Sequence, residues 1–145
     1  MDKVPGGIII GADTVVVLRG EILGKPGDNA EAVAMLRRLS GETHMVYTGF
    51  ALLRAGGPAY RDVEKTEVTF RRLEAWEIQD YVNTGGPLDK AGGYGIQDRS
   101  GLFVDSISGC FYNVVGFPLT KFFQGLYTLV GEETLRNMLN KDQTG

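Results

Sequence analysis

The chain has 145 residues, 43% of them hydrophobic and 23% charged, with a formal net charge of −3. This is the length of one domain with enough apolar material for a core, and its negative balance excludes a general basic field for a nucleic-acid polymer. No apolar run approaches the roughly 18 to 20 residues of a membrane span, and a single cysteine, Cys110, excludes an intrachain disulfide and fits a reducing cytoplasm.

In chain order, Gly7–Gly11 and Thr14–Leu18 read as two β-branched strand segments, continuous enough to be buried on both faces, with Asp13 in a tight break between them. Arg19-Gly20 is a turn, Glu21–Leu23 a short returning strand, and Gly24–Gly27 a loop. Asp28 with Glu31 three residues later forms a capping-box pattern, and Ala32, Met35, Leu36 and Leu39 follow on one helical face, with Gly41 as the C-terminal stop. Thr43–Leu53 is a second strand, Ala55–Pro58 a hairpin connection, and Thr66–Leu73 an alternating, half-exposed strand antiparallel to its predecessor. Glu74–Asn83 is a short amphipathic helix whose buried side is marked by Trp76 or Glu77, Ile78, Tyr81 and Val82. A glycine-rich loop leads to a strand at Leu102–Ile107. Pro118 then opens a helix with a broad apolar stripe from Leu119 to Val130, and Glu132–Lys141 is a polar terminal helix or tail. The elements predict a single α/β domain, 1–145, with a mixed twisted sheet and flanking helices.

Glycine is enriched, at 21 residues, about twice the usual share of roughly 7%. Many cluster between Gly85 and Gly101, where tight turns or close approach to a ligand are expected. Familiar nucleotide loops do not fit. "GEILGKP" has three residues between its glycines where a Walker A loop needs four, and Pro26 follows Lys25. "GGYGIQD" lacks the third glycine of the dinucleotide fingerprint. The lone histidine, His44, excludes histidine triads and zinc sites by its isolation.

Carboxylate, lysine and backbone chemistry remain. Asp13 either caps a turn through its own backbone or serves as a metal-binding or proton-accepting group at a cleft. Lys25, between Gly24 and Pro26, is either a solvated lysine or a held cation. "GGPLDKAGGYGIQD" is either a long turn or a site where Asp89, Lys90 and Gln97 meet a phosphorylated ligand among close-approaching backbone N–H groups.

Together, "IIIGADTVVVLRGEILGKPGD", "AVAMLRRLSGETHMVYTGFAL", "TEVTFRRL", "DYVNTGGPLDKAGGYGIQ" and "YNVVGFPL" resemble the Maf family of nucleotide pyrophosphatases, in the family's order. The resemblance implies a two-lobed fold like that of the inosine-triphosphate pyrophosphatases. It implies hydrolysis of dTTP or UTP, and of modified nucleotides, to the monophosphate and pyrophosphate, assisted by Mg2+ or Mn2+. By position, Asp13 matches the catalytic aspartate, Thr14 and Gln97 match positions tied to base choice, and Lys25 and Lys90 match phosphate-neutralising positions. Asp13 and Asp89 are the metal candidates, Asp89 alternatively organising Lys90.

The family's first strand, its Ser-x-Ser-Pro-Arg-Arg loop and its first helix have no counterpart in this sequence, so the domain is expected to be N-terminally incomplete. Ile8–Ile10 would then present unpaired edge groups, a surface that invites dimerisation, and a homodimer is expected. The single cysteine and the lack of a signal-peptide or membrane-span pattern give a cytoplasmic setting as the expectation. A non-catalytic remnant or binding module linked to septum formation is the alternative.

Overall fold

One strand organises the structure, a computed structural model that describes residues 2–4 (backbone only), 7–57 and 59–141. The elements are β1 (Asp2–Val4), β2 (Ile8–Leu18), β3 (Glu21–Leu23), α1 (Asn29–Leu39), β4 (Thr43–Arg54), β5 (Ala59–Phe70), α2 (Ala75–Asn83), β6 (Val104–Ser108), α3 (Phe111–Val115), α4 (Leu119–Val130) and α5 (Glu132–Asn140). Three short 3-10 turns, Gly86–Asp89, Ala91–Gly93 and Arg99–Phe103, lie between α2 and β6.

The sheet order is β1-β2-β4-β5-β6, with β3 also paired to β2. Among the described residues every pairing is antiparallel, so the expected α/β domain has no parallel component in its sheet. Hairpins account for β2–β3 and β4–β5. The connection through α1 returns β4 antiparallel to β2, so no right-handed βαβ crossover arises.

The expected break at Asp13 is absent. β2 runs through it as one strand, with Asp13 opposite Gly49 and Thr14 opposite Thr48 in the ladder with β4. Asp13 is exposed, so its carboxylate bears no burial cost and the ladder continues through it. Nor is β2 buried on both faces. Ile8, Val16 and Leu18 are buried while Ile9, Val15 and Val17 are only half-buried. The N-terminal edge also departs from expectation. Ile8–Ile10 pair with Asp2–Val4, and Ile8 is buried.

β5 starts at Ala59 and ends at Phe70, seven residues before the expected start and three before the expected end. Its first half carries Arg61, Asp62, Glu64 and Lys65, yet each position is paired with β4 in an unbroken register from Leu53↔Ala59 to Thr43↔Thr69. Pairing by a long partner overrides the polar composition. Pro58 of the expected hairpin lies outside the described residues. In α1 the Asp28 carboxylate accepts the Glu31 N–H at 2.8 Å, the predicted cap, and Gly41 follows with φ +69°. Leu36 and Leu39 of α1 are fully buried, each contributing roughly 1.5–3 kcal/mol. On α2, Ile78, Tyr81 and Val82 face inward, whereas Trp76 is 64% exposed, and Glu77 turns back to accept two hydrogen bonds from Arg71.

All five α-helices pack on the same face of the sheet, in two groups. One core cluster joins Val16, Leu18, Val46, Val68 and Phe70 to α1, α2, Tyr94 and Phe103, with Val114 of α3 against it. The other joins Ile8, Phe50 and Leu52 to Leu129 of α4, with Phe122, Leu126 and Met138 against it. The two groups are two lobes on one sheet, and the middle of β2 lies between them. The opposite face, which carries Ile9, Val17, Met45, Tyr47 and Val63, has no helix over it among the described residues. No helix among the described residues is long and apolar enough to cross a membrane.

Candidate active site

A cleft of about 460 Å³ opens between the lobes over the centre of β2. Asp13, Thr14, Lys25, Asp89, Lys90 and Gln97 all line it, so residues from three separate stretches of chain come together. Its apolar walls come from Val16, Val46, Ile96, Val114 and Val115.

The geometry follows from strand pairing. β1 covers Ile8–Ile10 on one edge of β2, and β3 covers Val16–Leu18 on the same edge. Between them, Gly11 to Val15 have no strand partner on that side among the described residues. Alternation aims Thr14 at the helix-covered face and Asp13 at the other, and Asp13 lines the cleft where this edge of β2 is open. Its Oδ1 accepts the Thr14 N–H at 3.0 Å, the local backbone contact expected of a capping aspartate, here inside a continuous strand.

Thr14 has a different setting. Its hydroxyl lies 2.8 Å from that of the fully buried Thr48 and 3.4 Å from the Gly116 carbonyl. The direction that satisfies both hydroxyls runs from Thr48 to Thr14 to the carbonyl, because Thr48 has no other acceptor among the described hydrogen bonds. Gly116 is held there by α3. The Asn113 amide, fully buried, donates toward Val46 O (3.0 Å), Thr66 Oγ1 (2.9 Å) and Glu64 O (3.2 Å), which fastens α3 across β4 and β5.

The two lysines arrive on glycine-shaped loops. Gly92 has φ +73°, and a Cβ there would meet the Val16 side chain at 3.1 Å. Glycine thus permits both the turn and its seat on β2. Lys90 is held on two sides. Its ammonium donates to Asp98 Oδ2 at 2.9 Å and to the Gly86 carbonyl at 3.2 Å. Lys25, Asp89 and Gln97 are exposed and make no side-chain hydrogen bond or ion pair among the described residues. The carboxylate that contacts Lys90 is Asp98, and no hydrogen bond or ion pair joins Asp89 to Lys90 among the described residues. Asp89 is exposed at the cleft, while Asp98, at the start of the turn Arg99–Phe103, meets the ammonium.

Sequence reasoning passed over Asp98, Tyr81, Ser100 and Asn113. One local signal was present for Asp98. Asp-x-Ser is the pattern of an aspartate capping the turn that follows, and Asp98 Oδ1 accepts the Ser100 N–H at 2.8 Å. Burial works to raise the Asp98 pKa. Hydrogen bonds from Ser100, Lys90 and Tyr81 outweigh it and leave the carboxyl below its ordinary value. His44 is fully buried and supplies no group to the cleft. Its Nε2 sits 2.6 Å from the Tyr94 hydroxyl, and burial lowers its pKa to about 4.

Comparison with known proteins places the chain in a family. The model of the Maf family, described as Maf-like protein, matches residues 1–129. A protein of Symbiobacterium thermophilum named dTTP/UTP pyrophosphatase is 54% identical over 124 residues, 86% of this chain and 63% of the relative. Proteins of the same name from Chlorobium phaeovibrioides and a Geobacillus species are 50% and 54% identical over 123 and 120 residues, covering 84% and 83% of this chain and 63% and 64% of the relatives. The chain thus spans a little over three-fifths of the length of these relatives. With a cleft built from the residues of "GADT", "GKP" and "DKAGGYGIQ", and a family match over nearly the whole chain, the protein belongs to the Maf-like family.

Proposed function

We propose that this cleft hydrolyses dTTP and UTP to the monophosphate and pyrophosphate. The observation that carries the reading is the convergence of Asp13, Thr14, Lys25, Lys90 and Gln97 on one cleft, in a chain about half identical to proteins named dTTP/UTP pyrophosphatase. In this reading a water attacks the phosphoanhydride between the α and β phosphates. The P–O bond there breaks, pyrophosphate leaves, and Asp13 takes the proton of the water. Lys25 and Lys90 stabilise the charge on the phosphate oxygens, and Thr14 and Gln97 face the base.

The lining side chains supply two ammonium groups against three carboxylates, Asp13, Asp89 and Asp98. Alone they do not neutralise a triphosphate. Among the described residues no three His, Cys, Asp or Glu side chains form a metal cage. That donor set fits Mg2+ or Mn2+ bound by Asp13, with Asp89 a second candidate, and completed by phosphate oxygens and water. Such a cation supplies charge neutralisation and a more acidic water. The uncovered sheet face, with Ile22 65% and Val63 53% exposed, supports the expected homodimer. The single cysteine, half-buried and free, supports a cytoplasmic setting. Nothing in the relatives' names supports the septum-linked alternative.

The test is pyrophosphate release from dTTP and UTP with Mg2+ or Mn2+, with Asp13→Asn as control. Turnover lost in the variant is the expected result. No Asp13-dependent turnover overturns the reading.

A further inference from the structure

We propose that Asp98 is the positioning residue of the cleft, fixing Lys90 so that one ammonium proton is left for the polyphosphate. An ammonium has three donors. Lys90 spends one on Asp98 Oδ2 at 2.9 Å and one on the Gly86 carbonyl at 3.2 Å, and its position in the cleft lining presents the third to a ligand. The aliphatic shaft is held as well. A Cβ at Gly95 would stand 2.8 Å from Lys90 Cε, so the absence of a side chain there is what admits the lysine.

Asp98 is itself immobilised. Its Oδ2 also accepts from the Tyr81 hydroxyl at 2.8 Å, and its Oδ1 accepts from the Ser100 N–H at 2.8 Å and lies 2.5 Å from the Ser100 hydroxyl, whose one proton it shares with the Gly95 carbonyl at 2.7 Å. Both partners are anchored, Tyr81 in the core at 2% exposure and Ser100 fully buried. Three donors and a shared hydroxyl proton on one carboxylate hold it in one rotamer, so the ion pair transmits the position of the core to Lys90. Exposed ion pairs contribute little because both arms must be ordered. Here the ordering cost of Asp98 is already met by Tyr81 and Ser100. Lys25 is exposed and has no such partner among the described residues.

An asparagine cannot substitute. If its oxygen faces Ser100, its amide N–H groups oppose Lys90 and Tyr81. If the amide flips, they oppose the Ser100 N–H. Removing the carboxylate also takes a negative charge away from where the phosphates would lie. Loss of positioning and gain of attraction then act on different kinetic constants, which a merely structural residue would not separate.

The inference rests on the reading of the cleft as a triphosphate site, and the experiment separates the two. Wild type, Asp98→Asn, Lys90→Met and the double variant are compared for dTTP turnover. Asp98→Asn is expected to lower kcat about 10- to 100-fold with KM unchanged or lower, and to lower it less than about 2-fold in the Lys90→Met background. Equal effects in both backgrounds, or a raised KM with kcat intact, overturn the proposal. Should Asp98→Asn not fold, Asp98→Glu replaces it. The longer arm keeps the charge and displaces Lys90, so kcat is expected to fall, and an unchanged kcat overturns the proposal. If the wild type shows no turnover, the functional reading falls by itself. The same proteins titrated calorimetrically with inorganic tripolyphosphate then decide the inference. An effect of the Asp98 substitution that differs at least about 3-fold between the two backgrounds sustains it, and equal effects overturn it.

Discussion

The N–H of Gly92 donates to the carbonyl of Gly24 at 3.1 Å, and this bond ties the loop of Lys25 to the loop of Lys90. The two cations of the cleft are far apart in sequence, but their backbones are joined directly beside them. Two glycines of the second loop therefore predict different phenotypes. Gly92→Ala forces a left-handed residue and a Cβ into Val16 at 3.1 Å, so it is expected to lower stability by about 1–3 kcal/mol. Gly95→Ala meets the Lys90 side chain at 2.8 Å and Asp98 Oδ2 at 3.5 Å but no backbone, so it is expected to cost less stability than Gly92→Ala while displacing the ammonium and reducing turnover. Thermal unfolding and pyrophosphate release on the two variants check the contrast.

Asp13 is exposed and its one described bond is local, to the next residue's N–H. Asp13→Asn is thus expected to keep stability within about 0.5 kcal/mol, while turnover of dTTP falls about 100-fold or more because the amide accepts no proton. Chemical denaturation alongside pyrophosphate release separates the two.

His44 predicts an acid limb in stability. Its folded-state pKa, about 4, lies below the ordinary 6.5, so the unfolded chain takes up a proton first as pH falls. The neutral imidazole's contribution is whole above about pH 6.5 and is lost progressively toward pH 4. The loss from the pKa difference amounts to about 2 kcal/mol at pH 5 and approaches roughly 3 kcal/mol below pH 4. Denaturant midpoints at pH 7 and pH 5 should show it, and His44→Leu should flatten the limb.

Asn113 predicts the largest single-site cost. Its amide reaches Val46 O, Glu64 O and Thr66 Oγ1 in a fully buried position, so Asn113→Leu strands those acceptors and inserts a side chain of different shape. A loss of about 2–4 kcal/mol is expected. Undocking of α3 would also release Gly116 from the Thr14 hydroxyl, so turnover measured on the folded fraction should fall as well.

The parts of this fold visible in the sequence are those in which a local rule and the tertiary environment agree. Asp28, Glu31 and the Ala32-Met35-Leu36-Leu39 face specify α1 by themselves, and the structure adds only what they pack against. The first half of β5 was hidden because Arg61, Asp62, Glu64 and Lys65 carry no alternating apolar signal, and only the length of β4 draws them into the sheet. Asp13 was legible as a site residue but misread as a break, because a strand with one open face accepts a carboxylate without interruption. Lys90 was legible through family resemblance. Its partner Asp98 was not, since the two lie eight positions apart across irregular turns and no periodicity spans such a segment.

The two helix groups share β2, β4 and β5 rather than meeting across a linker. Opening or closing the cleft by swinging one lobe would have to shear three continuous strands and their ladders, so a hinge of the kind found in two-domain enzymes has no place to sit. Ligand capture must rely on side chains and glycine turns settling onto a nearly rigid floor. The entropic cost of assembling the cleft's groups is then largely met when the chain folds, before any ligand arrives.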